Sequence, residues 1–381
     1  MNLTADFDAK LQHTDRAIIS SAANFAKQHL QQKPTAIDSR AMLVNACASG
    51  LAGIEVGKDF GGANASFSAR MRVCEELAQW DAAFTFSLIN HHNVIERIAR
   101  SAPPSVANVL VPSMLSGNQF GCTAMSEPQS GSDFKSMQTT ATESSDGWIL
   151  NGDKAWITNA AFCDVFLVYA QTNPAAGAAG VACFIVLAED SGFIRTSPYD
   201  LPTLENMGVG RFTLKQCHIP SERVLYPPGQ GFKAAMRGVN QARTHVAAMN
   251  SGMIDCALRL ATEFGNKREA FGHKLLEFQG LTWSLANVAT TLYAMRLMTY
   301  RSAQLIDVGH DARYEAAMAK KFSNEHALNS IGACMQAMGA AGLIADIPLG
   351  RHLNCARAFC YTDGTPEMMN ERISQLLKKS K

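Results

Sequence analysis

The stretch Thr123-Ala124-Met125-Ser126-Glu127-Pro128-Gln129-Ser130-Gly131-Ser132-Asp133, with Lys154-Ala155-Trp156-Ile157-Thr158-Asn159 further on, decides how this chain is read. Gly, Ser and Pro in turn-rich order make the first piece a loop rich in free backbone N–H groups and hydroxyls. The second piece sets a large indole and a hydroxyl two residues apart on an extended segment. Together they could line a flat, polar heterocycle, with hydrogen bonds along its edge and an aromatic wall beside it.

Around these motifs, residues 119–225 follow a period of two. Val165, Leu167 and Tyr169 alternate with Phe166, Val168 and Ala170, and Val181, Cys183, Ile185 and Leu187 repeat the pattern. Asn173 to Gly180 lies between the two runs as a hairpin loop. Short strands at this spacing suggest a small antiparallel barrel or sandwich. Before it, residues 1–118 carry helical spacing, with Ile18, Ala22, Phe25 and Ala26 on one face. After it, residues 226–381 return to that period in three stripes. These are Ile254, Ala257, Leu258 and Ala261; Leu281, Leu285, Val288, Leu292 and Met295; and Leu328, Ile331, Met335 and Met338. Long amphipathic helices joined by short loops make a bundle. The expected class is α+β: a helical domain, a central β domain and a helical bundle.

The 381 residues exceed one comfortable core, and 47% are hydrophobic against 18% charged, the balance of a compact soluble protein. A formal net charge of +1, with no basic run beyond Lys378, Lys379 and Lys381, gives no reason to expect nucleic acid or a membrane surface as partner. The ten cysteines lack CxxC or zinc spacings and read as small buried hydrophobes in a reducing compartment, with no metal site. The acidic N-terminus with Asp6 and Asp8 is neither a signal nor an intact transit peptide, and no apolar run approaches spanning length, so a cytoplasmic enzyme is expected.

On the two quoted motifs the chain resembles the acyl-CoA dehydrogenase family, whose flavin-binding segments read Thr/Ser-Glu-Pro-x-x-Gly-Ser-Asp and Trp-Ile-Thr-Asn. The α–β–α order matches that family's helical, β-barrel and four-helix-bundle domains over essentially the full length. Gly53 to Gly62 resembles its Gly-Ile-x-Val-Pro-x-x-Tyr-Gly-Gly connector, with Gly57 where proline is usual. The resemblance implies FAD, contacted by Thr123, Ala124, Met125, Ser126, Gly131 and Ser132 and flanked by Trp156, Ile157 and Thr158. It places the Thr158 hydroxyl near flavin N5. Arg268, Phe271 and Gln279 match the family's Arg-x-x-Phe-Gly and downstream Gln. Gln336 to Gly342, including Gly339, resembles Gln-x-x-Gly-Gly-x-Gly, with Ala340 replacing a glycine. In the family these segments reach the FAD of a neighbouring subunit, which implies a homo-oligomer, most simply a tetramer. An arginine fork suits pyrophosphate, and small residues let backbone approach it.

Near the C-terminus the family carries Glu-Gly-Thr, and this chain has Thr362-Asp363-Gly364-Thr365-Pro366-Glu367. The resemblance puts Asp363 in the place of the catalytic base, with Thr365 and Glu367 at flavin contacts and Ser132, Arg243 and Gly364 at substrate contacts. The α-hydrogen of a thioester is a very weak acid, so its base must sit within about 3 Å and have its pKa raised by burial. Asp363-Gly364 is equally an ordinary turn pair, and Thr365-Pro366 an N-cap followed by proline at the first helical position. Ala242, where some relatives carry the base instead, cannot serve. His91, His92 and His245 read as structural. The implied reaction is FAD-dependent α,β-dehydrogenation of an acyl thioester, with coenzyme A or an acyl carrier protein as carrier and electron-transfer flavoprotein or oxygen as acceptor. Flavin oxidase or monooxygenase chemistry on the same fold, and a non-catalytic assembly role, are the alternatives.

Overall fold

The computed structural model describes residues 3–31 and 39–379; Lys381 of the basic run lies outside them. The helices are α1 (Leu3–Asp8), α2 (His13–Phe25), α3 (Ser39–Ala48), α4 (Phe67–Ala78), α5 (Ala82–Ser101) and α6 (Pro104–Leu115). Eight strands follow: β1 (Gly121–Ala124), β2 (Thr140–Glu143), β3 (Gly147–Ile157), β4 (Val165–Gln171), β5 (Val181–Leu187), β6 (Phe193–Arg195), β7 (Gly210–Pro220) and β8 (Val224–Tyr226). Then come α7 (Gly231–Lys267), the hairpin β9 (Glu269–Ala270) and β10 (His273–Lys274), α8 (Gln279–Asp307), α9 (Arg313–Met338), α10 (Leu349–Phe359) and α11 (Pro366–Lys379). The chain folds into two compact units. One comprises Met1–Thr35, Ser66–Thr85 and Asn240–Lys381, the other Ala36–Ala65 and Phe86–Val239.

The second unit is built on an eight-stranded sheet in the order β6-β7-β3-β2-β4-β5-β8, with β1 beside β4. The α+β class stands as read, but the sheet is mixed rather than wholly antiparallel. β1 runs parallel to β4, from Gly121 opposite Val165 to Ala124 opposite Val168. The connection between them is long enough to hold β2 and β3, so a parallel crossover is available where a tight hairpin is not. The alternation read across Val165–Gln171 does not divide inside from outside, because every residue of β4 is buried. A strand covered on both faces reads as a continuous apolar run. In the connector, Gly62 is required by close approach, since a methyl there would sit 2.2 Å from the Val56 carbonyl oxygen. Gly57 has φ −60° and ψ 151°, a conformation proline shares.

The first unit is helical. α8 and α9 pack along one another, α10 and α11 lie against α9, and α4 packs on α2 and α8. Leu285, Val288, Leu292 and Met295 form the buried stripe of α8, as its spacing indicates. α9 departs from its apolar stripe: Leu328 is half-buried, while Lys320, Ser323, Asn324 and Ser330 are buried. Between α4 and α8, the carboxylate of Glu75 accepts from Arg72 Nη1 at 3.0 Å and from the Tyr300 hydroxyl at 2.7 Å, and also meets Arg296. Burial opposes ionisation of Glu75, yet Arg72 and Arg296 hold it below the usual carboxylate range. All ten cysteines are buried as thiols rather than disulfides. Among the described residues no helix is long and apolar enough to cross a membrane.

Candidate functional site

In the second unit the two motifs that opened the sequence reading meet. Their junction is an irregularity in the β3–β7 ladder, whose register breaks between Lys154 and Ile157. Freed from the ladder, Ala155 N–H donates to the Ser126 carbonyl at 3.1 Å. The bulge also re-aims Trp156, whose φ is +60°, so that its indole is 57% exposed. Exposing an indole is costly, and this one is held flat against Tyr199, with ring centroids 4.1 Å apart and planes 4° from parallel. Ile157 and Thr158 are buried just beyond it.

The loop 125–132 is anchored from beneath by an ion pair. Lys154 Nζ donates to Glu127 Oε1 at 2.9 Å and to the Met125 carbonyl at 3.1 Å, and both charged side chains are buried. Glu127 also accepts from the backbone N–H groups of Gln138, at 2.6 Å, and Thr139, at 3.0 Å. Burial opposes its ionisation, but Lys154 and these donors hold its pKa below the ordinary value. Ser126 is half-buried, while Gly131 and Ser132 are exposed at the loop's far end. The Thr123 hydroxyl accepts from Arg97 Nη1 at 3.2 Å, and Ala124 is buried in β1.

In the first unit, Asp363 and Gly364 form a left-handed turn between α10 and α11, with φ of +52° and +97°. Arg243, almost fully buried on α7, donates from Nε to the Asp363 carbonyl at 3.2 Å. Burial pushes its guanidinium down to about 10, with Asp363 opposing. Thr365 caps α11, its carbonyl accepting from Met369 N–H at 3.1 Å, and Glu367 is exposed in the first turn. Arg268, Phe271 and Gln279 gather on and beside the β9–β10 hairpin, all exposed, with Phe271 at 93%. Gln336 and Gly339 are exposed at the C-terminal end of α9.

His91 is held on both ring nitrogens. His91 Nδ1 accepts from Gly121 N–H at 3.1 Å, which leaves Nε2–H to donate to the Met114 carbonyl at 3.1 Å. Burial drives its pKa down to about 3, so the ring is neutral. Sequence reasoning missed two supporting residues, Lys154 and Tyr199. Lys154 opens the second motif and has its partner, Glu127, in the first; Tyr199 carries no local signal.

A helical, β and helical chain that presents an outward indole beside an anchored polar loop has the make-up of a flavoprotein oxidoreductase. The acyl-CoA dehydrogenase N-terminal, middle and C-terminal domain families match residues 12–118, 122–217 and 229–378. The chain belongs to the acyl-CoA dehydrogenase family. It is 31% identical over 329 residues to the acyl-CoA dehydrogenase of Bacillus subtilis (strain 168), covering 86% of this chain and 87% of the relative. To the mitochondrial short-chain specific acyl-CoA dehydrogenase of Homo sapiens it is 29% identical over 377 residues, covering 97% and 92%. Among solved structures, the FAD complex of PigA is similar with a TM-score of 0.90 at 27% identity, covering 97% of this chain and 98% of that one.

Proposed function

We propose that this protein dehydrogenates an acyl thioester between its α and β carbons, with Asp363 as the base that takes the α-proton. FAD, when bound, supplies the two-electron sink that accepts the β-hydride. The chain's residues fit that group: a polar loop fixed from below, an outward indole braced on Tyr199, and Thr158 beside it. In this reading Thr123 to Ser132 hold the flavin edge, Trp156 and Ile157 wall the ring, and Thr158 orients it. Arg243 steadies the Asp363 turn, and Ser132 and Gly364 contact the substrate. The observation that carries the reading is the bulge at Ala155–Trp156, which joins two motifs distant in sequence and turns the indole outward.

Anaerobic mixing with a panel of short, branched and long acyl-CoA and acyl-carrier thioesters tests it, read as bleaching of flavin absorbance. Purified protein should carry about one FAD per chain, and at least one thioester should bleach it. A folded preparation that neither holds nor takes up FAD would remove the flavin assignment. One that holds FAD unbleached by every thioester would remove the dehydrogenase. Comparing reoxidation by air and by electron-transfer flavoprotein then identifies the acceptor.

The same reading makes the protein a homotetramer in which Arg268, Phe271, Gln279, Gln336 and Gly339 serve a neighbour's FAD, and Thr365 and Glu367 also contact flavin. Phe271, exposed in left-handed backbone, supports an interface there. Arg268→Ala is expected to weaken FAD retention and assembly together in sedimentation measurements. A monomer that keeps its full complement of FAD would contradict it.

A further inference from the structure

Lys320 is fully buried on α9. An ammonium removed from water costs several kcal/mol unless it is compensated, and a methionine would fill a similar volume without that cost. Its compensation is specific. Nζ donates to the Phe359 carbonyl at 3.1 Å and to the Gly364 carbonyl at 2.8 Å, the two ends of the segment that carries Asp363. Asn324, one turn further along α9, donates to the same Phe359 carbonyl at 3.2 Å. Asn324 is held in turn by Asn250 of α7, whose Nδ2 lies 3.0 Å from its Oδ1.

Asp363 at φ +52° and Gly364 at φ +97° are a pair that turns adopt readily, so the backbone alone does not fix where the aspartate stands. Arg243 takes the Asp363 carbonyl and Lys320 takes that of Gly364, so consecutive peptide oxygens are each held by a cation. Aspartate is one methylene shorter than glutamate, so a base on this turn has less reach with which to absorb backbone drift.

We propose that Lys320 is a positioning residue for the reaction: from α9 it clamps the left-handed turn at Asp363–Gly364 through the Gly364 carbonyl and so fixes where the Asp363 side chain stands. This rests on Asp363 being the base. The charged and titratable groups around the ammonium are Asp363 and Cys360 beyond α10 and Arg243 on α7, with Arg372 of α11 acting on Arg243. Of these, Asp363 stabilises the protonated lysine and Arg243 opposes it; burial brings Lys320 down to about 8. Because Asp363 favours the protonated lysine, the lysine by reciprocity favours the carboxylate, so removing its charge should raise the pH at which Asp363 becomes able to accept a proton.

Two substitutions separate clamp from charge. Lys320→Gln keeps amide donors for the carbonyls but loses the charge; Lys320→Met loses both. The measurement is anaerobic single-turnover flavin reduction against pH, using the acyl-CoA that bleaches the wild type fastest and normalising to bound FAD. Lys320→Gln should keep its limiting rate within a few-fold and move the acid limb up by about one pH unit. Lys320→Met should show the same shift and a limiting rate lower by about tenfold or more. As a readout independent of turnover, the infrared carboxylic-acid band that Asp363→Asn abolishes should titrate higher by the same amount in resting Lys320→Gln. An unchanged acid limb and band, with only a lower melting temperature, would overturn the proposal, and Lys320→Gln alone decides the matter if Lys320→Met does not fold. Asp363→Asn separates the two layers: a wild-type rate there removes the base itself, whereas an inactive Asp363→Asn with an unshifted Lys320→Gln removes only the lysine's role.

Discussion

Asp363→Asn is expected to bind FAD as the wild type does and to be reduced by acyl thioester at least ~10²-fold more slowly. Asparagine suits the test because its short polar side chain tolerates the left-handed region that residue 363 occupies at φ +52°. The turn therefore survives, along with the Arg243 contact to its carbonyl, and only the proton acceptor is lost. Alanine is a poorer probe, since it strains the backbone and removes the carboxylate at once. Asp363→Glu lengthens the side chain by one methylene and should retain part of the activity with a changed chain-length preference. If residue 363 merely shapes a turn, all three variants lose some stability and keep their reduction rate per bound flavin. Rapid anaerobic mixing, normalised to FAD, distinguishes the outcomes; a near wild-type rate in Asp363→Asn would move the search to another acid.

The second large effect belongs to the buried pair under the loop 125–132. Removing one member of such a pair leaves an uncompensated charge and typically costs about 3–5 kcal/mol. Lys154→Met strands the Glu127 carboxylate, and Glu127→Gln strands the Lys154 ammonium, both in sites with almost no access to water. Urea denaturation should register that loss. FAD retention should fall with it, because Lys154 also holds the Met125 carbonyl in the loop. The double variant Lys154→Met, Glu127→Gln should lose less than the two single losses added together, since no buried charge is left alone. Equal additive losses would show that the two residues do not act as a pair. The pH dependence follows from the lowered pKa of Glu127. Its contribution is present above the unfolded carboxylate's value of about 4.3 and is lost as pH falls through the lower folded value.

Much of this was legible before any coordinates. The two motifs stand in the sequence with their residues in order, and the alternation from Val165 to Leu187 announces paired strands. What it could not announce is burial on both faces of β4, because that depends on what covers the sheet. The bulge at Ala155–Trp156 was equally hidden: no glycine or proline marks it, and its cause is a carbonyl at Ser126 competing for the Ala155 N–H. Asp363 could be placed by its neighbours Gly364 and Thr365, yet nothing nearby points to Lys320, which lies 43 positions upstream. In Ala317-Met318-Ala319-Lys320-Lys321 the two lysines look alike, but Lys320 is buried and Lys321 pairs with Glu325 on the surface. A lysine's fate on a helix is set by the face it occupies, and α9 has carbonyls of the Asp363 turn waiting on that face.

The outward indole has an optical consequence. Of the four tryptophans, only Trp156 and Trp283 rank among the exposed large hydrophobic side chains, at 57% and 64%. Trp148 is packed near Phe184 with centroids 5.5 Å apart, and Trp80 lies under the Arg259 guanidinium at 5.3 Å. With Trp283 replaced by phenylalanine, the red edge of the emission spectrum would belong largely to Trp156. A flavin lying along that indole would quench it by energy transfer, since indole emission overlaps flavin absorption. In the proposed reading Trp156 would then report FAD occupancy at the place where the two motifs join, without a substrate, an acceptor or a turnover.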